Sequence, residues 1–196
     1  EIDLEATREA SKDIRNRCIA NLDLWLERFE EEATRRGGRV LWARDGAEIC
    51  RLVAEIARRY GVKKAIKSKS MLSEEAGLNA ALEAAGVQPV ETDLGEYILQ
   101  INGNESPSHI IAPAIHKTKE EVAELFERVH GKPRKTDIGE MTREAREMLR
   151  AHFLSADMGI SGGNFLVAET GSVALVTNEG NGRMVTTLPR VHVVIT

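Results

Sequence analysis

Cysteine is scarce in this chain, and its two residues, Cys18 and Cys50, lie far apart. Iron–sulfur and structural zinc sites need clustered thiolates, so no such site is expected within these residues. Each thiol falls inside a helical apolar pattern and is expected as a buried apolar side chain. Long hydrophobic runs are also missing: none approaches the roughly 18–20 residues that span a bilayer, and no signal peptide opens the chain. A cytoplasmic protein without a membrane span is the expectation. Nor is there an excess of one charge. The 27 basic and 31 acidic side chains are interspersed and give a net charge of −4, which lacks the basic face that nucleic acid requires. No internal repeat or low-complexity segment is present.

What remains is ordinary globular composition, with 42% hydrophobic and 30% charged residues in 196. That length supports one domain with a substantial core and a helical appendage. From Asp3 to about Arg36, Ile14, Cys18, Leu22, Trp25, Leu26 and Phe29 recur at three- and four-residue steps, predicting one long helix stopped by Gly37-Gly38. The expected organisation is a helical segment, 1–36, followed by an α/β domain, 37–196. Glu1 stands where an initiator Met would, and the apolar Val191–Ile195 reads as a strand with no closing turn after it. The chain is therefore expected to be a piece of something longer, cut at the carboxyl end of its domain.

Short apolar runs then alternate with amphipathic segments. Strands are predicted at Val40–Ala43, Lys64–Lys67, Pro89–Thr92 and His109–Ala114, with helices at about Ala47–Tyr60, Ser73–Ala85 and Ile138–Leu154. Thr118-Lys119-Glu120-Glu121 is a capping-box sequence opening a helix that runs to Val129 and ends at Gly131. Such alternation predicts a mostly parallel, helix-covered sheet. In the tail, Asn164–Ala168 and Val173–Thr177 have hairpin spacing, which predicts an antiparallel extension, and Val191–Ile195 is the last strand.

Ligands in open α/β sheets gather where strands end and helices begin. Lys67-Ser68-Lys69-Ser70 offers cations and hydroxyls to an anion there; the alternative is a solvated loop. Glu91-Thr92-Asp93-Leu94-Gly95-Glu96 offers carboxylates for proton transfer or a hard cation, unless Asp93 simply caps the next helix. His109 and His116 lie on opposite faces if their segment is a regular strand, which argues against a shared metal. His116 alone has the position of an acid, a base or a hydrogen-bond anchor. In the tail, Glu169 sits at a turn between strands and is the best candidate for a reactive carboxylate, against a purely turn-making role. Asn178, Glu179, Asn181 and Arg183 lie in a glycine-rich loop whose amides and guanidinium suit an anion. The candidate set is thus Glu169 and His116 for catalysis. Lys67, Ser68, Lys69, Glu96, Asn178, Glu179, Asn181 and Arg183 are the candidates for substrate or anion binding.

The same segments resemble the LUD domain of the lactate utilization B family. Lys67-Ser68-Lys69-Ser70-Met71, Glu91-Thr92-Asp93-Leu94-Gly95-Glu96-Tyr97, Ser108-His109-Ile110-Ile111-Ala112-Pro113-Ala114-Ile115-His116-Lys117, Ala168-Glu169-Thr170-Gly171 and Val176-Thr177-Asn178-Glu179-Gly180-Asn181-Gly182-Arg183-Met184 carry the likeness in order. The resemblance implies a fold like that of NagB/RpiA-type sugar-phosphate isomerases and coenzyme A transferases. It implies a part in oxidising L-lactate to pyruvate within a three-subunit system, with sister subunits as partners. Family members carry two [4Fe–4S] clusters on cysteine motifs beyond the LUD domain, and this sequence ends before any such motif. Glu169 resembles, by location alone, the glutamate nucleophile of the transferases. Three readings stay open: a redox subunit whose LUD domain binds a small anionic substrate or a partner, a transferase-like enzyme, and an assembly domain that docks sister subunits or another copy.

Overall fold

The computed structural model describes residues 3–177 and 179–196. The chain forms two compact units, one comprising residues to Trp42 together with Asn164–Ala174, the other Ala43–Gly163 with Leu175–Thr196.

In the first unit the expected long helix is two, α1 (Leu4–Ala20) and α2 (Leu22–Arg35). Asp3 caps α1 by accepting from Ala6 N–H, as an Asx side chain does for orphan donors. The break falls at Asn21, whose side-chain amide donates to Arg17 O at 2.9 Å. That local bond competes with helix continuation. Helix α2 buries Phe29 and Ala33, whereas α1 buries no residue. Cys18 is therefore exposed rather than buried. The predicted strand Val40–Ala43 is irregular chain with Leu41 and Trp42 exposed. It has no ladder partner among the described residues, and the Trp42 indole N–H instead donates to Glu30 at 2.9 Å. Strands β4 (Phe165–Val167) and β5 (Ser172–Ala174) pair antiparallel as a sheet of their own.

The second unit is built on four parallel strands in the order β2-β1-β3-β6: β1 (Lys64–Lys67), β2 (Gln88–Glu91), β3 (Met158–Ser161) and β6 (Val191–Val194). The alternation of side chains along a strand splits its core in two. Ala65, Met158 and Ile160 pack with Val53 and Ala57 of α3 (Gly46–Arg59) and Leu78 and Leu82 of α5 (Leu78–Ala84). Ile66 and Val90 pack instead with Tyr97 of α6 (Leu94–Ile101), Phe126 of α7 (Lys119–His130), Leu149 of α8 (Ile138–Ser155) and Val185 of α9 (Asn181–Thr187). Short α4 (Met71–Glu75) precedes α5, so the predicted helix Ser73–Ala85 is interrupted at Gly77, which has φ +69°. The capping box at Thr118 forms, and Gly131 closes α7 at φ +65°, a left-handed position that glycine fills without strain.

Two expectations fail in this unit. His109–Ala114 is a turn-rich loop, not a fourth strand, and Ile110 and Ile111 are exposed. The His109 ring takes the N–H groups of Ile111 and Ala112 at 3.2 Å each, and Pro113 has no N–H for a ladder. Conversely, β3 lies at the centre of the sheet although Met158–Ser161 is not among the predicted strands. A Cβ on Gly159 would stand 1.9 Å from the Val185 carbonyl oxygen. That glycine marks close approach of α9 to the strand.

Candidate functional site at the carboxyl edge of the sheet

Strands β1 and β2 end side by side, with Lys67 opposite Glu91. Both side chains are almost wholly buried, and the Lys67 ammonium meets Glu91 Oε1 at 2.6 Å. Asn79 of α5 completes the group: its carbonyl accepts from Lys67 at 2.7 Å and its amide donates to Glu91 at 2.8 Å. Gln100 holds the backbone on either side, accepting from Glu91 N–H and donating to Pro89 O. A buried charge pair is tolerable only when hydrogen bonds supplement it, as they do here. The Lys67 ammonium is accordingly engaged within the protein.

The next residues form the rim. Ser68 is buried, and its hydroxyl has no hydrogen-bond partner among the described residues. Lys69 donates to Ile111 O at 3.2 Å and lies 3.8 Å from Asp93. Asp93 caps α6, accepting from Gly95 and Glu96 N–H. The structural alternative raised for this residue therefore holds. Thr92 donates to Lys67 O, and Asn181 reaches Thr92 Oγ1 at 3.4 Å. Glu179 is drawn toward this rim: burial and the Asp93 charge raise its pKa, while Lys69 and the Leu94 N–H oppose them.

Glu96 is the most perturbed acid. Burial, a hydrogen bond with Glu74 and the negative charges of Glu91, Glu74 and Asp93 push its pKa up to about 10. It therefore carries a proton at neutral pH. Its Oε1 is buried without a partner among the described residues, and Glu96 and Glu74 both line a cavity of about 160 Å³ with Met71, Ser108, His109 and Ile110. His116 belongs to the loop beyond, between Ser108 and Glu105.

The structure thus brings Lys67, Ser68, Lys69, Glu96, Glu179 and Asn181 to the edge of one sheet. Arg183 is exposed on α9, and Asn178 lies outside the described residues. Glu169 is exposed in the β4–β5 turn of the first unit. Gly171 of that turn has φ +63°, and a Cβ there would stand 2.2 Å from Ala33 N. The glycine of this motif therefore answers to packing on α2. Asn79, Glu74 and Glu105 are not among the site candidates read from sequence: Asn79 and Glu74 sit inside helical patterns where polar residues signal only surface. Cys50, expected as buried, is half-buried and donates to Ala76 O at 3.1 Å.

The sequence profile of the LUD domain matches residues 26–196. The chain belongs to the LUD-domain family. This LUD chain is 47% identical to lactate utilization protein B of Geobacillus kaustophilus over 191 residues, covering 97% of the chain and 40% of that protein. The proteins of the same name from Bacillus licheniformis and Bacillus subtilis are each 45% identical over the same shares. This LUD chain therefore spans about 40% of the length of the curated relatives it matches. No solved structure matches it. Among the described residues, no helix is long and apolar enough to cross a membrane, and no group of three or more His, Cys, Asp or Glu could hold a metal ion.

Proposed function

We propose that the chain is the LUD part of a lactate utilization protein that takes part in oxidising L-lactate to pyruvate, and that this part binds a substrate or sister subunit. The observation that carries this reading is the 47% identity across 97% of the chain to a protein named for lactate utilization. Two [4Fe–4S] clusters belong to the reading, in the share of the relatives' length that this chain does not span. They do not fit here: Cys18 is exposed, Cys50 is bonded to Ala76 O, and no cluster ligands converge among the described residues. The kinship with NagB/RpiA-type isomerases and coenzyme A transferases rests on the family resemblance.

Within this chain, Lys69 and Asn181 are the groups at the sheet edge suited to a small carboxylate. Lys67 and Glu91 brace the strand ends that carry them. An anaerobic absorbance spectrum with iron and sulfide analysis of the full-length protein tests the redox part. Absorbance near roughly 400 nm that bleaches on reduction, with about eight irons per chain, is expected for two cubane clusters. A colourless, iron-free protein overturns it. Calorimetric titration of this chain with L-lactate and pyruvate tests substrate binding; heat that Lys69→Ala abolishes supports it.

A second reading, docking of sister subunits or another copy, is favoured by α1. That helix buries no residue, and Leu4, Ile14 and Ile19 are exposed by 74%, 53% and 71%. A transferase reading with Glu169 as nucleophile predicts that Glu169→Gln abolishes turnover; the docking reading predicts that it leaves assembly intact.

A further inference from the structure

The loop between α6 and α7 contains a linked arrangement that neither the lactate reading nor the sheet-edge cluster uses. Ser108 Oγ lies 2.6 Å from His116 Nδ1, and His116 Nε2 lies 2.6 Å from Glu105 Oε1. The polarity of this chain of bonds follows from its members. Glu105 also takes Asn102 Nδ2 at 2.6 Å and Lys117 Nζ at 2.7 Å. Lys117, His116 and Asn102 together hold its pKa down to about 2, so at neutral pH it only accepts. A neutral imidazole must then carry its proton on Nε2, leaving the Nδ1 lone pair toward Ser108. The serine hydroxyl has a second acceptor, Pro113 O, but at 3.2 Å against 2.6 Å the imidazole is the closer. This is the order nucleophile, base, orienting carboxylate, with the two ring nitrogens exchanged relative to the usual triad.

Place matters as much as polarity. Ser108 is exposed, and it lines the cavity of about 160 Å³ that also holds Glu74, Glu96 and the apolar side chains of Met71, Ile110 and Pro113. Among the described residues the lining has no lysine or arginine to hold an anionic guest, whereas the apolar wall suits a short uncharged acyl group.

We propose that Ser108, His116 and Glu105 form a nucleophilic relay that hydrolyses small uncharged acyl esters or thioesters bound in this cavity. Ser108 Oγ attacks the carbonyl carbon as its proton passes to His116 Nδ1. The bond to the leaving oxygen or sulfur breaks, and the leaving group takes the electron pair and that proton. Water then attacks the acyl-serine, again giving a proton to His116. The carboxylic acid departs, and Ser108 regains its hydrogen. Ser108 and His116 are the catalytic residues, and Glu105 is a positioning residue.

The test is para-nitrophenyl acetate with the whole chain, following nitrophenolate release and, by mass spectrometry, acetyl transfer to protein. The expected result is one acetyl group mapped to Ser108. Ser108→Ala should remove the adduct, and His116→Gln should slow release about 100-fold or more, the usual worth of a general base. Glu105→Asp should keep most of the rate where Glu105→Gln loses it, which a merely structural loss would not reproduce. Ser108→Cys provides an independent arm: its thiol should react with iodoacetamide faster when His116 is present than in the His116→Gln background. The proposal is overturned if the wild type forms no adduct, if the adduct lies elsewhere, if Ser108→Ala releases nitrophenolate at the wild-type rate, or if His116 leaves thiol reactivity unchanged.

Discussion

Helices α1 and α5 show how differently this chain uses similar material. Helix α1 has 17 residues, apolar side chains at helical spacing and an Asp3 cap, yet it buries none of them. Helix α5 has seven residues and no side-chain cap, yet Leu78 and Leu82 are wholly buried against β1 and β3. Local signals decide whether a segment coils. Packing decides whether that coil contributes a core, and most helical stability in proteins comes from the packed face. The unit built on the parallel sheet therefore holds the energetic centre of the chain, while α1 keeps its apolar side chains exposed.

Substitutions can break or sharpen this contrast. The largest effect is expected at Lys67, because removing its ammonium leaves Glu91 buried and unpaired. Lys67→Ala should cost about 3–5 kcal/mol in chemical denaturation; a loss below about 1 kcal/mol would mean that water compensates Glu91 at the sheet edge. Leu82→Ala comes next, at about 2–5 kcal/mol from the cavity it opens. Thermal unfolding that left its midpoint unmoved would show the second core to be looser than its burial suggests.

The third effect is a slope with pH. Glu96 has a folded pKa of about 10 against an ordinary value of 4.5, so the folded chain binds the extra proton. Its contribution is complete below 4.5 and is lost as pH rises toward about 10, so stability falls with increasing pH across that window. Glu96→Gln, which keeps a neutral group in place, should flatten the slope while changing little below it. Urea titrations at three pH values read this directly, and an unchanged slope would locate the proton elsewhere. The smallest effect is expected on α1. Ile14→Ser should shift stability by no more than about 0.5 kcal/mol, the range of surface changes. A substantial loss would mean that Ile14 is covered in solution, which sedimentation could trace to self-association.

Much of this architecture was legible in advance. Lys64–Lys67, the strand near Pro89 and the capping box at Thr118 announce themselves through apolar alternation and cap chemistry, both local properties. The Lys67 and Glu91 segments are also read as strand ends where a ligand could gather, and the structure sets these two residues side by side at the edge of the sheet. Two segments misled for a common reason. His109–Ala114 has strand-like composition, but a histidine ring and a proline hold it as a loop. Met158–Ser161 is not predicted as a strand, but α9 approaches so closely that Gly159 is required in a central one. In both, contacts made by particular atoms outweigh average propensity.

The candidate sites divide along the same line. Sequence alone determined the α/β class, the alternation that makes the strands parallel, the family, and the residue types gathered at strand ends. The family follows from the order of its motifs along the chain, and the rest from periodicity and composition, which act over a few neighbouring residues. Only the tertiary structure decided that Lys67 is spent on Glu91 and Asn79, and that Glu96 keeps its proton beside Glu74. It also decided that Ser108, His116 and Glu105 form one hydrogen-bonded line. The reason is physical: charge state and nucleophilicity are set by burial and by partners within about 3 Å, and their spacing along the chain carries neither.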